Sequence, residues 1–477
     1  MPASLAVSDY SSALEFLLGR INYERTANIP YRSTEFKLDR MRRLMALLGD
    51  PQLGLKAIHI AGTKGKGSTA AMIASVLSAA GLRTGLYTSP HLARTEERLA
   101  IDGHDCPRET FVALAAELQQ AVEWLESEAA GDPALAGATF FEITTAMAFL
   151  HFARANVAAA VLEVGLGGRL DSTNVCRPKV CLITSISFDH MRQLGHTLAE
   201  IAGEKAGIIK PGVPVVSGVL LDEPRLVITR RAAELQAPLW QRGVDYDFSS
   251  RQRGSLPTGG EWLDYFEPAA QPRLRVDGVQ IQMLGEHQAA NAAAAICAVN
   301  RLRDQGWTIS EAALRQGLVA ARTPARIEVV AERPTTILDV AHNPASIAAL
   351  VAVVNQRWPN ERRILVFASS KDKDFPGMLR LVVPEFDAIV LTRYIHNPRA
   401  AETAELLAAA TATGVNSRPI ETFDDPGEAL ARARRLAGPD DLICITGSFF
   451  LAAELRPLVI EGKVEAEQIR KSEEPKN

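Results

Sequence analysis

Apolar positions recur at helical spacing over Ser8–Gly19 and Phe36–Leu48, and a glycine, Gly19 or Gly49, stands where each run should stop. After this helical lead-in the period changes. A short apolar strand, Ala57–Ala61, runs into a glycine-rich segment and then an alanine-rich helix, Ala70–Ala80. Strand and helix alternate from there: strand Thr84–Thr88, helices Arg108–Glu128 and Glu142–Asn156, strands Ala159–Val164 and Val180–Ile186, helix Leu198–Ala206, strand Val213–Ser217. That rhythm predicts a parallel sheet with helices on both faces. The stretch Ala237–Met283 breaks it with glycine, proline, arginine and aromatics in short alternating segments, and reads as a small antiparallel β addition. Helices Gln288–Gln305 and Ser310–Leu318 close this half.

A second α/β series begins near Arg322. Its strands are Thr335–Val340, Arg363–Ala368, Ala388–Leu391 and Leu442–Ile445, with helices that include Ala345–Gln356 and Ala401–Ala410. The fold class expected is therefore α/β in two parts: a P-loop ATPase-like domain over residues 1–321 and a Rossmann-like domain over 322–460. Glu461–Asn477 is almost wholly polar and is expected to be a frayed helix or disordered.

Composition narrows the classes without naming a function. A length of 477 residues allows two or three domains, and 47% hydrophobic with 23% charged residues is ordinary for a soluble enzyme. A net charge of −4 and a sequence pI near 6.2 leave no electrostatic footprint for nucleic acid or a membrane surface. The five cysteines carry no C-x-x-C pair, so they predict reduced thiols rather than a disulfide framework or a zinc site. Asp9 and Glu15 interrupt the apolar start, and no run approaches the ~18 apolar residues of a membrane span. A cytoplasmic location is expected, and, with no heptad repeat, a monomer.

The glycine-rich segment carries the clearest chemistry. In Gly62-Thr63-Lys64-Gly65-Lys66-Gly67-Ser68-Thr69, successive glycines let backbone amides turn toward one point at a helix start. Lys66 can reach β- and γ-phosphates while Ser68 or Thr69 faces a metal. The loop is a variant of G-x-x-x-x-G-K-[ST], with Ile60 where the first glycine would stand and Gly67 directly after Lys66. Polar residues also close apolar strands, where parallel-sheet ligands bind. Glu163 ends one strand before the run Gly165-Leu166-Gly167-Gly168, and such a carboxylate needs either a cation or an arginine partner. Asp189-His190 follows another strand, and Glu204-Lys205-Ala206-Gly207-Ile208-Ile209-Lys210 ends a helix. In the second series Asp339-Val340-Ala341-His342-Asn343-Pro344 closes the first clear strand, with Arg326 upstream, a set suited to handling a phosphoryl group or an amine.

Together with Thr88-Ser89-Pro90-His91 and Gly285-Glu286-His287-Gln288 plus Asn291, these motifs resemble, in order over roughly residues 8–460, the folylpolyglutamate synthase/dihydrofolate synthase family of the Mur ligase superfamily. The resemblance implies that Gly62 through Thr69, with Lys66 foremost, hold ATP phosphates. It implies that Ser89, Glu163 and His190 bind magnesium, with Ser68 near it. Lys205 matches a lysine that the superfamily often carries as a carbamate. Asn291, Arg326 and Asp339 match nucleotide contacts, His342 lies at the cleft between domains, and Ser89–Arg98 resembles the loop that shapes a pterin pocket. The family often has Asn where Lys64 stands.

The implied chemistry is amide ligation. The γ-phosphate of ATP moves to a carboxylate of dihydropteroate, tetrahydrofolate or both, and the amine of L-glutamate displaces phosphate from the resulting acyl phosphate. Domain closure would bring Arg326 and Asp339 to the nucleotide and exclude water. Lys66, Lys205, His342 and Asp339 are the candidate catalytic residues, the last two as candidates for the base. A peptidoglycan amino-acid ligase is disfavoured, because only 61 residues precede Gly62 and they read as helices rather than a uridine-nucleotide domain. A P-loop switch or motor is disfavoured because no base-reading motif for GTP is present.

Overall fold

The computed structural model describes residues 6–24, 38–128, 137–251, 259–270, 274–415 and 418–460. The chain divides into two compact units, with the change at Arg322/Thr323; Met283–Gly285 belongs with the second unit. Phe36, part of the second expected helix, and the expected charged tail lie outside the described residues.

The first unit opens with helices α1 (Tyr10–Leu18) and α2 (Leu38–Leu47), then β1 (Ala57–Ala61), α3 (Lys66–Ala79), β2 (Thr84–Tyr87) and β3 (Leu99–Ile101). Helices α4 (Arg108–Glu128) and α5 (Phe140–Arg154) lead to β4 (Ala159–Glu163), β5 (Pro178–Ile183), the single turn α6 (Met191–Leu194) and α7 (Leu198–Ala206). Strand β6 (Val215–Ser217), helix α8 (Asp222–Glu234) and strand β7 (Leu239–Gln241) complete the main sheet. Its order is β3-β2-β4-β1-β5-β6-β7, with β3 antiparallel and the rest parallel. Every residue of β1 and β4 is buried, as a sheet covered on both faces requires. One apolar cluster joins α1, α2, α4 and α5 to β4, and another joins α7 and α8 to β5 and β6.

Strands β8 (Asp247–Arg251), β9 (Glu261–Glu267) and β10 (Leu274–Ile281) form the expected small antiparallel sheet. It starts later than the sequence suggested, because β7 pairs parallel with β6 and so belongs to the main sheet. Helices α9 (Glu286–Asp304) and α10 (Glu311–Ala320) follow, and both pack against α3. Helix α3 begins at Lys66, four residues before the expected Ala70: Gly65, at φ +83°, is its N-cap, so half the glycine-rich segment is helix.

The second unit is a six-stranded sheet, β11 (Glu328–Glu332), β12 (Thr335–Leu338), β13 (Arg363–Phe367), β14 (Ala388–Thr392), β15 (Ile420–Phe423) and β16 (Leu442–Thr446). The order is β11-β12-β16-β13-β14-β15, parallel except for β11. Helices α11 (Pro344–Arg357), α12 (Phe375–Val382) and α13 (Thr403–Thr411) share one apolar cluster with the sheet, and α14 (Pro426–Leu436) precedes β16. Among the described residues no helix is long and apolar enough to cross a membrane. All five cysteines are free and buried, Cys444 in the second unit and the other four in the first.

Candidate active site

Strand order builds the site in the first unit. From β1 the chain crosses to β2 on one side, and after β4 it passes to β5 on the other, so the carboxyl end of β1 lies at a switch of direction, flanked by the ends of β4 and β5. Open α/β sheets leave a ligand crevice at such a point. The glycine loop follows β1, Glu163 is the last residue of β4, and Thr184 and Ser185 follow β5.

The loop is held by its neighbours. Lys64 N–H donates to Ser185 Oγ at 3.0 Å, and Lys64 C=O accepts from Thr184 Oγ1 at 2.6 Å and Ser185 Oγ at 3.1 Å. Thr63 N–H donates to Ser185 O at 2.7 Å, and its hydroxyl lies between the backbone O and N–H of Ser187, at 3.2 and 3.1 Å. Two glycines are dictated by space: a Cβ on Gly62 would fall 1.8 Å from Thr184 Oγ1, and one on Gly65 would fall 2.3 Å from Asn291 Oδ1. The N-cap of α3, Gly65, has no side chain to cap it, which leaves the first amides available to an anion, with the helix dipole adding to their pull. Lys66 is the first residue of that helix. Ser68 and Thr69 are buried, and the Thr69 hydroxyl has no hydrogen-bond partner among the described residues.

Glu163 is buried beside this helix start. A Cβ on Gly67 would lie 3.4 Å from Glu163 Oε2, which also accepts the N–H of Ser89 at 3.1 Å. Lys205 is buried as well, and its Nζ donates to Gly62 O at 2.9 Å. Burial, with Lys66 nearby, pulls its amine down to about 7. His190 is half exposed, adopts φ +50°, and places Nε2 3.8 Å from Asp189 Oδ1. Thus Ser89, Glu163 and the helix start meet directly, Lys205 meets the loop backbone, and His190 sits on the turn after β5.

Among the described residues no three His, Cys, Asp or Glu side chains form a cluster able to hold a metal. The set Ser68, Ser89, Glu163 and His190 offers one carboxylate, two hydroxyls and an imidazole, with the carboxylate beside the start of α3. That fits magnesium, which keeps several waters and takes oxygens from bound phosphates.

In the second unit, Asp339 is buried just after β12. Its Oδ2 accepts Ile327 N–H at 3.0 Å and its Oδ1 accepts Ala341 N–H at 2.8 Å. Burial raises its pKa, opposed by Arg326 and these amides. Ala325 and Ile327, on either side of Arg326, have φ +54° and +49°, so the Asp339 carboxylate pins a strained turn that presents the arginine. His342 directs Nδ1 to Val340 O at 2.8 Å.

Residues 60–299 match the Mur ligase middle domain, and 325–449 match the Mur ligase glutamate ligase domain. The dihydrofolate synthase/folylpolyglutamate synthase of Bacillus subtilis is 38% identical over 88% of this chain and 94% of its own length. The chain belongs to the folylpolyglutamate synthase family of Mur ligases. Its fold is correspondingly close to solved family members. The Mycobacterium tuberculosis folylpolyglutamate synthase complexed with ADP superposes with a TM-score of 0.83, at 33% identity, covering 94% of this chain and 99% of that one. Escherichia coli FolC in complex with DHPP and ADP gives 0.80, at 29% identity, covering 96% and 99%.

Three residues of this site were missed in the sequence. Thr184 and Ser185 are the loop's main anchors, and their signal was a pair of hydroxyls at a strand end. Asp171 is buried after the glycine run and accepts Gly165 and Leu166 N–H, both at 3.0 Å, fixing the turn that follows Glu163. Its signal was Asp171-Ser172-Thr173, an aspartate bonding two residues on, here to Thr173 N–H at 3.0 Å. In the segment expected to shape a pterin pocket, Arg98 is fully buried, donates to His91 Nδ1 at 2.7 Å, and grips Glu24 through two bonds of 2.6 and 3.0 Å.

Proposed function

We propose that this protein joins L-glutamate to a carboxylate of dihydropteroate, tetrahydrofolate or both, in an ATP-dependent ligation through an acyl phosphate. The observation that carries this reading is the convergence, at one sheet crevice, of an uncapped helix start, Lys66, buried Glu163 and buried Lys205. Loop amides and Lys66 hold the ATP phosphates and offset charge as the γ-phosphoryl group passes to the carboxylate and ADP leaves. Magnesium held by Ser89, Glu163, His190 and Ser68 would supply further neutralisation of phosphate charge when bound. The glutamate amine then attacks the activated carbonyl, expelling phosphate and losing a proton. His342 is the better candidate for that proton, because both oxygens of Asp339 are engaged by backbone amides. Asp339 acts by positioning Arg326, which we assign, with Asn291, to the nucleotide.

Lys205, with its amine near neutrality, suits addition of CO2 to give a carbamate, which turns a buried cation into an anionic ligand. Residues 1–321 are assigned as the ATP-binding domain and 322–460 as the glutamate-ligase domain, in a monomeric cytoplasmic enzyme.

Product mass tests the reading. Purified protein with ATP, Mg²⁺ and L-glutamate receives dihydropteroate in one tube and tetrahydrofolate in another, and each should gain one or more glutamates with matching phosphate release. Product in one tube alone assigns a single activity. ATP hydrolysis without a ligated product in either overturns the folate assignment.

A further inference from the structure

The sequence departs from the commoner family pattern at Lys64, and the structure gives that departure a partner. Lys64 Nζ lies 3.0 Å from Asp189 Oδ2, with Asp189 largely buried and Lys64 about a quarter exposed. The other oxygen of the same carboxylate, Oδ1, accepts the N–H of His190 at 3.0 Å. His190 occupies the left-handed region at φ +50°, an uncommon conformation but one that histidine adopts more often than most residues. One carboxylate therefore reaches the tip of the phosphate loop with one oxygen and fixes the His190 turn with the other. Lys64 is itself fixed at both backbone ends, through Ser185 and Thr184. Its ammonium consequently projects from a rigid base, and the pair is shielded enough to be screened less than a surface ion pair.

We propose that Lys64 is a positioning residue that holds Asp189, and through it the His190 turn, in register with the phosphate loop. It acts on the second phosphate-side element rather than on ATP itself. The loop-tip cation and Asp189 work as one unit, so losing either has the same consequence: the left-handed turn at His190 loses its restraint, and the site binds nucleotide but is misaligned for phosphoryl transfer. This inference rests on the ligase reading and on His190 serving the nucleotide site.

A double-mutant cycle with Lys64→Met and Asp189→Asn tests it, with Lys64→Arg as the conservative variant and Lys64→Asn as a mild one. Each single change should lower kcat by the same factor, on the order of tenfold, with KM for ATP altered less than about twofold. The double variant should be no worse than either single, and Lys64→Arg should recover most of the rate. The affinity of the ADP-bound protein for Mn²⁺, followed by electron paramagnetic resonance, should fall in both single variants, while ADP binding and the melting temperature of Lys64→Asn stay near wild type. Effects that multiply in the double variant overturn the proposal. So does a large rise in KM for ATP confined to the Lys64 variants, which would place the ammonium on phosphate. If the unaltered protein makes no ligated product, the ligase reading fails instead, whereas the Mn²⁺ and ADP measurements still decide whether the pair acts as a unit.

Discussion

At the scale of single residues, the informative groups are polar side chains buried where burial is unfavourable. Lys205 shows how that works. Burial favours its neutral amine, so between about pH 7 and its ordinary value of 10.5 the folded protein binds fewer protons there than the unfolded chain does. The sign follows: stability gains as pH rises through that window, and the gain is lost as pH falls through 7. In CO2-free buffer, urea unfolding of wild type minus Lys205→Met should therefore rise by a few kcal/mol from pH 7 to 10; a flat difference would remove the buried amine. On adding ¹³C-bicarbonate near pH 8, a carbamate carbon should appear by NMR in wild type and not in the variant. Glu163 was legible in the sequence because a charge closing an apolar strand demands an explanation, whereas Lys205 came only with the family resemblance, since a lysine in a helix's last turn is ordinarily a dipole partner. Thr184 and Ser185 were not legible, because their partner, Lys64, lies far along the chain, and Asp171 was not, because an aspartate near a turn has many local uses.

At the scale of elements, apolar period located the long helices well. Helices Arg108–Glu128 and Leu198–Ala206 keep the expected bounds. Helix α8 was not found because its bulky apolar residues, Leu226, Val227 and Ile228, form one consecutive run rather than a helical repeat, with Pro224 just before them. Strand β7 was assigned to the wrong sheet because three residues carry no period, and its place is decided by pairing with β6. The loop-to-helix junction is where element geometry becomes function. Gly65→Ala must adopt φ +83° and meets Asn291 Oδ1 at 2.3 Å, so it should cost roughly 1–3 kcal/mol. ADP affinity, measured by calorimetry, should fall at least about tenfold as the amides of α3 turn away from the phosphates. Adding Asn291→Ala should recover part of the melting temperature without restoring ADP affinity. Unchanged ADP binding in Gly65→Ala would show that the loop does not hold phosphate.

At the scale of the whole molecule, two α/β units were legible because strand–helix alternation restarts after the β addition. Assignment of Met283–Gly285 to the second unit was not, since it depends on packing rather than on local pattern. Each unit closes its own apolar clusters, and neither leaves a thiol at its surface. Burial pushes Cys106 and Cys181 up to about 12, and Cys176, Cys297 and Cys444 are raised too. Native protein should thus be inert to alkylating reagents at neutral pH, because the thiolate that reacts is scarcely formed and out of reach. Sulfur becomes an internal recorder of opening. In a urea series with pulsed alkylation and peptide mass spectrometry, mass added at Cys444 dates the opening of the second unit, and mass added at the other four dates that of the first. Nucleotide that binds the first unit should delay labelling of those four by mass action. Prompt labelling of the native protein would contradict the packing described. No engineered tag is needed, since the chain already carries its own chemical bookmarks in both halves.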